Sequence, residues 1–132
     1  MLLAVIATYK FDPLKNDNFL PIFNNGFEDY TITDRDTDDN LVIRTIEHDS
    51  LFPSTIKFED GAGESDRSLL SVDYLAVTGE MTDLSNLFVN CLALKTVNTE
   101  GWDTSYVTNM ENMFERCTSL ESINVSGFIL VK

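Results

Sequence analysis

The sequence is short of basic residues. It has 9 Lys+Arg against 22 Asp+Glu, a formal net charge of −13 over 132 residues. Nucleic-acid binders neutralise phosphates with clustered Lys and Arg, and anionic lipid surfaces select the same side chains. A pI near 4.1 argues against both classes of partner. No apolar run approaches the ~20 residues of a membrane helix, so no membrane insertion is expected. The apolar opening, residues 1–9 (MLLAVIATY), is short and has no basic stretch before it. It reads as a buried first strand rather than a signal peptide. Two cysteines, Cys91 and Cys117, are too few for a disulfide scaffold and lack zinc-type spacing. His48 is the single histidine. Its neighbours Asp49 and Ser50 cannot build a catalytic triad from adjacent positions, and no nucleophile elbow accompanies them. Asn25-Gly26 and residues 61–63 (GAG) are turn chemistry, without the helix start and lysine of a phosphate loop. No catalytic residue and no cofactor is expected, so the chain reads as a non-enzyme.

What is present is a normal hydrophobic fraction, 43%, and a length that suits one domain. Two textures divide it, giving expected regions 1–70 and 71–132. The first is β-rich. Residues 30–33 (YTIT) and 41–46 (LVIRTI) are β-branched segments around an acidic connection, residues 34–40, and predict a hairpin. Residues 55–58 (TIKF) alternate before a turn, and Pro13, Pro21 and Pro53 sit in the joints. Residues 28–66 carry 12 acidic side chains against three basic ones, Arg35, Arg44 and Lys57. Acidity is therefore a property of the first region. Asp34, Asp36 and Asp38 alternate as weak calcium candidates, but the EF-hand glycine and glutamate are replaced by Asp39 and Thr45. A solvated acidic loop is the expectation.

The second region repeats with an offset of 26. Asn86/Asn112, Phe88/Phe114, Cys91/Cys117, Leu94/Leu120, Asn98/Asn124 and Gly101/Gly127 are identical, and Trp102/Phe128 are both aromatic. Identity at fixed ladder positions is a repeat signature. Leu84, Leu87, Phe88 and Cys91 fall at i, i+3, i+4 and i+7, as do Met110, Met113, Phe114 and Cys117. That spacing predicts a short amphipathic helix in each unit, with Thr108 and Glu111 as a capping box. Residues 94–99 and 120–125 follow as strand patterns, and residues 72–77 look like the strand of an earlier unit. Cys91 and Cys117 hold equivalent positions. Two buried small hydrophobes are expected there, with a disulfide between adjacent coils as the alternative.

Residues 102–120 (WDTSYVTNMENMFERCTSL) and 123–128 (INVSGF) resemble the BspA-like leucine-rich repeats of bacterial surface proteins. The resemblance covers residues 72–128. It implies an α/β (α+β) chain: a leucine-rich-repeat half-solenoid of about two and a half 26-residue coils, packed on a β-rich N-terminal cap. It also implies exposed, non-catalytic roles in adhesion or protein binding. Thr96, Asn98, Ser122 and Asn124 should form an outward polar ladder that suits protein or glycan contact. Trp102 and Phe128 should close the coils or serve as exposed anchors. The apolar segment Phe128, Ile129, Leu130 and Val131 should be covered, through self-association or a larger assembly. The expected role is a surface-displayed structural or interaction module. A phage virion accessory or decoration protein of the head or tail is the first setting, because the chain is short and shows no secretion signal. A bacterial cell-surface adhesin, binding a host protein or glycan, is the alternative.

Overall fold

The apolar opening and the β-branched segments fold as strands. The computed structural model describes residues 3–59 and 67–128. Its strands are β1 (Ala4–Phe11), β2 (Ile22–Phe23), β3 (Thr31–Asp36), β4 (Val42–His48), β5 (Ile56–Lys57), β6 (Leu69–Leu75) and β7 (Thr96–Val97). Five form one sheet in the order β3-β4-β1-β6-β7, while β2 and β5 pair separately. β1 runs antiparallel to both β4 and β6, and β3 pairs antiparallel with β4 as the expected hairpin. β6 and β7 are parallel, with Ser71 opposite Thr96 and Val72 opposite Val97. The sheet is mixed and runs unbroken across position 70, through β6.

A register shift between Val5 and Ala7 lets consecutive residues Ile6 and Ala7 both enter the core. Beyond it the alternation is regular. Tyr9 and Phe11 point inward, where Tyr9 meets Phe19 and Phe58 edge to face. The Tyr9 hydroxyl donates to the Phe19 carbonyl at 2.5 Å. Its burial pushes the phenol well above its usual range, so it stays a neutral donor. Arg44 takes the inward register of β4 and is only 5% exposed. Its guanidinium grips Asp34 with two bonds, Nε–Oδ1 at 2.7 Å and Nη2–Oδ2 at 2.8 Å. Nη1 donates to Asn18 Oδ1 and to the Phe19 carbonyl, and the group lies 5.0 Å from the Phe11 ring centroid.

The fold corrects the expected class. The chain is all-β rather than α/β, no helix occurs among the described residues, and the half-solenoid of helix-and-strand coils is not built. The reason is visible at the backbone. Asn86, Asn90, Asn112 and Arg116 adopt left-handed conformations with φ between 58° and 65°, which interrupt any right-handed helix. Bonds within each segment span three residues, as in Leu87 N–H to the Leu84 carbonyl and Val89 N–H to that of Asn86. The alternate amides of Leu84, Asn86, Phe88 and Asn90 instead donate to the carbonyls of Asn109, Glu111, Met113 and Glu115 in the next repeat. The first apolar stripe is still buried, with Leu84, Leu87, Phe88 and Cys91 fully inside, whereas in the second only Met113 is buried and Met110, Phe114 and Cys117 are half-buried. The Thr108 capping box is likewise absent: the Thr108 amide and hydroxyl both donate to the Thr82 carbonyl. The strand expected at residues 72–77 is met by β6 as far as Leu75, whereas among the described residues of the two 26-residue units only Thr96–Val97 forms a strand, and residues 120–125 contribute a single parallel bridge, Thr96 to Ser122.

Asparagine is the side chain that tolerates the left-handed region best after glycine. Asn86→Ala is expected to cost about 1 kcal/mol and Asn86→Gly far less. Urea unfolding of the two variants checks this; equal losses would show that the side chain, not the backbone angle, matters.

The first region joins the repeats through Phe58. Its ring stacks on Phe88 at 5.5 Å, and Phe88 stacks on Phe114 at 5.8 Å. The Cys91 thiol donates to the Phe58 carbonyl, and the Cys117 thiol to the Phe88 carbonyl. Phe58 thus fills the place that a preceding repeat's phenylalanine would take. Both cysteines are thiols rather than a disulfide. Burial pushes the Cys117 thiol up to about 11. Alkylation at pH 8 should therefore be slow at both positions in the folded chain and complete only after unfolding. Intact mass before and after denaturation reads this out; rapid native labelling would contradict it.

Candidate interaction surface on the repeats

An asparagine follows β7 and another follows the bridge at Ser122, and each organises the turn after it. Asn98 Oδ1 accepts the Glu100 amide at 3.0 Å, and Asn124 Oδ1 accepts the Ser126 amide at 3.0 Å and its hydroxyl at 2.8 Å. These are Asx turns. Asn98 Nδ2 also donates to the Asp73 carbonyl, and the Thr99 hydroxyl donates to the Asn124 carbonyl. Strand β6 at Asp73 and the turns at 98 and 124 are thereby tied side by side. This explains the identity of Asn98 and Asn124 in the repeat on structural grounds.

Between the last two turns lies an open cleft of about 610 Å³. Val97, Ile123, Trp102 and Phe128 form its apolar part. Trp102 and Phe128 stack at 5.3 Å and 14°. Asn98, Thr99, Glu100, Ser122, Asn124 and Ser126 supply the polar part. The cleft thus gathers Asn98, Ser122, Asn124 and Phe128 from the expected interaction set. Thr96 is exposed in a separate hollow of about 360 Å³ with Lys10, Asp73, Lys95 and Glu121. Ile129, Leu130 and Val131, the remaining expected contacts, lie outside the described residues. Trp102 and Phe128 are half-buried, packing on each other and lining the cleft, and among the described residues there are no helix-and-strand coils for them to close. Trp102 Nε1 is buried without an acceptor among the described residues. Sequence reading missed Glu100 and Ser126; their signal was the position two residues after each ladder asparagine.

The other sequence candidates have structural duties. His48 is buried, its Nε2–H donates to the Glu28 carbonyl at 2.8 Å, and Nδ1 accepts the amides of Ser50 and Leu51. Both ring nitrogens are spent on backbone, which pins the connection after β4. Asp34 is engaged by Arg44, whose hydrogen bonds hold its carboxyl below the usual carboxylate range. Asp39 accepts the Thr37 hydroxyl, while Asp36 and Asp38 are exposed. Among the described residues no three His, Cys, Asp or Glu side chains converge as a metal site. No helix among them is long and apolar enough to cross a membrane.

The geometry defines an all-β chain whose sheet carries side-by-side, turn-built repeats. Residues 75–129 match the family described as "Mycoplasma protein of unknown function, DUF285", which is related to BspA-like repeats. No curated protein and no solved structure matches the chain.

Proposed function

We propose that this chain is a non-enzymatic interaction module displayed on a bacterial cell surface, holding a host protein or glycan in the cleft between its repeats. The observation that carries the proposal is the cleft itself. Its volume falls in the range of ligand sites, and it joins a stacked aromatic pair to a rim of short polar groups. Aromatic faces beside amide and hydroxyl groups suit sugar rings and peptide side chains alike. The resemblance of residues 102–128 to BspA-like surface proteins supports this setting over the virion accessory role that the sequence also raised.

The labelled chain, applied to arrays of glycans and immobilised host-surface proteins, tests this. Binding is expected, with at least about a tenfold loss in Ser126→Trp, where an indole on the exposed rim obstructs the cleft. No binding across both arrays, or equal binding by the variant, would contradict the proposal.

A further inference from the structure

We propose that the outer edge of β3 is a docking site for a basic, extended polypeptide segment that joins the sheet as an added strand. This surface is distinct from the repeat cleft, and the inference does not depend on it. β3 ends the sheet, and all six of its residues, Thr31 to Asp36, are exposed. Register places Ile32, Asp34 and Asp36 on the same face as Ile46, Arg44 and Val42. Arg44 and Ile46 are buried there, but Ile32 is 38% exposed, so the covering layer stops short of β3. Among the described residues, both faces and the outer edge of β3 are therefore exposed.

An edge strand offers a row of backbone donors and acceptors to any extended chain. Proteins blunt such edges with shortness, proline, bulges or charge. β3 has an ordinary strand length, contains no proline, and keeps register with β4 from Thr31–Glu47 to Asp36–Val42 without a shift. Charge is the device left. Residues 28–39 hold six acidic side chains and one basic, Arg35, and Arg44 neutralises only Asp34.

That charge chooses the occupant. A second copy pairing antiparallel would lay residues 36–39 of one chain, with Asp36, Asp38 and Asp39, toward Glu28 and Asp29 of the other. In-register parallel pairing would place Asp36 beside Asp36. Like charges across a ladder are destabilising. A segment alternating Lys or Arg with β-branched residues meets the opposite field, finds an apolar neighbour in Ile32, and pairs its backbone with the edge.

The intact chain, isotope-labelled for NMR, is titrated with three capped nine-residue peptides. One alternates Lys with Val and Thr, one has the same charge with a central Pro, and one carries Glu for Lys. The lysine peptide is expected to bind and to slow amide exchange within residues 31–36. The proline peptide should bind at least about tenfold more weakly, because it cannot complete the ladder, and the glutamate peptide should not bind. Asp36→Lys/Asp38→Lys changes two exposed side chains and should reverse the preference between lysine and glutamate peptides. Equal binding of the lysine and proline peptides would overturn the proposal, reducing it to charge attraction. Perturbation confined to residues outside 28–39 and β4, no binding, or a dimer formed through β3 would also overturn it.

Discussion

Asp34→Ala is expected to destabilise the chain by about 2–4 kcal/mol, and Arg44→Met by only about 1–2. The order follows from burial. The Arg44 side chain is 6% exposed and the Asp34 side chain 40%. Removing the acid strands a buried guanidinium without its bidentate partner. Removing the base leaves Asp34 on an open strand, where water hydrates it, and the Phe19 carbonyl keeps the Tyr9 hydroxyl as a donor. The magnitude lies between those of an exposed and a fully buried ion pair because the two partners differ so much in exposure. The pH dependence has a definite sign. Arg44 holds the Asp34 carboxyl below its unfolded value near 3.9, so its contribution is present above that value and is lost as pH falls through the folded one. The stability gap between wild type and Asp34→Asn should close in acid below about pH 4. A larger loss for Arg44→Met than for Asp34→Ala, measured by urea unfolding, would sink this account of the network.

Phe88→Ala is expected to cost about 3–5 kcal/mol and to lower Tm by about 10–20 °C. Phe114→Ala, the same change one repeat later, should cost only about 1–2 kcal/mol. Phe88 is fully buried between Phe58 and Phe114, and its removal opens a cavity touching both. Phe114 is half-buried and meets a ring on one side. Identical residues at equivalent repeat positions are therefore expected to differ because their layers differ. Thermal unfolding of the two variants reads this directly. Equal Tm losses would show that Phe58 does not complete the aromatic stack.

The hairpin was legible because β-branched runs around an acidic turn leave few alternatives, but β3 runs three residues into the expected acidic loop, placing Asp34, Arg35 and Asp36 in the strand with Asp34 on Arg44. The repeat offset was equally legible, since Thr96–Ser122 and Asp83–Asn109 pair at 26-residue separation. The helix was not. An i, i+3, i+4, i+7 stripe records which side chains are buried, and a run of turns can bury the same stripe. The missed signal was Asn86 and Asn112, residues suited to the left-handed backbone that ends a helix. Arg44 was hidden for another reason. Its strand reads as ordinary alternation, and nothing local reveals that Asn18, Phe19 and Asp34 converge on an inward guanidinium. Asn98 and Asn124 were legible as a ladder, but their turn-forming bonds and the cleft beside them required the side-by-side packing of the repeats.

The central proposal, a module displayed on a bacterial surface, is tested most directly by labelling intact cells that produce this chain with antibody raised against it. Strong labelling without permeabilisation, abolished by mild treatment of the cells with external protease, is the expected result. Labelling that appears only after permeabilisation would contradict the account.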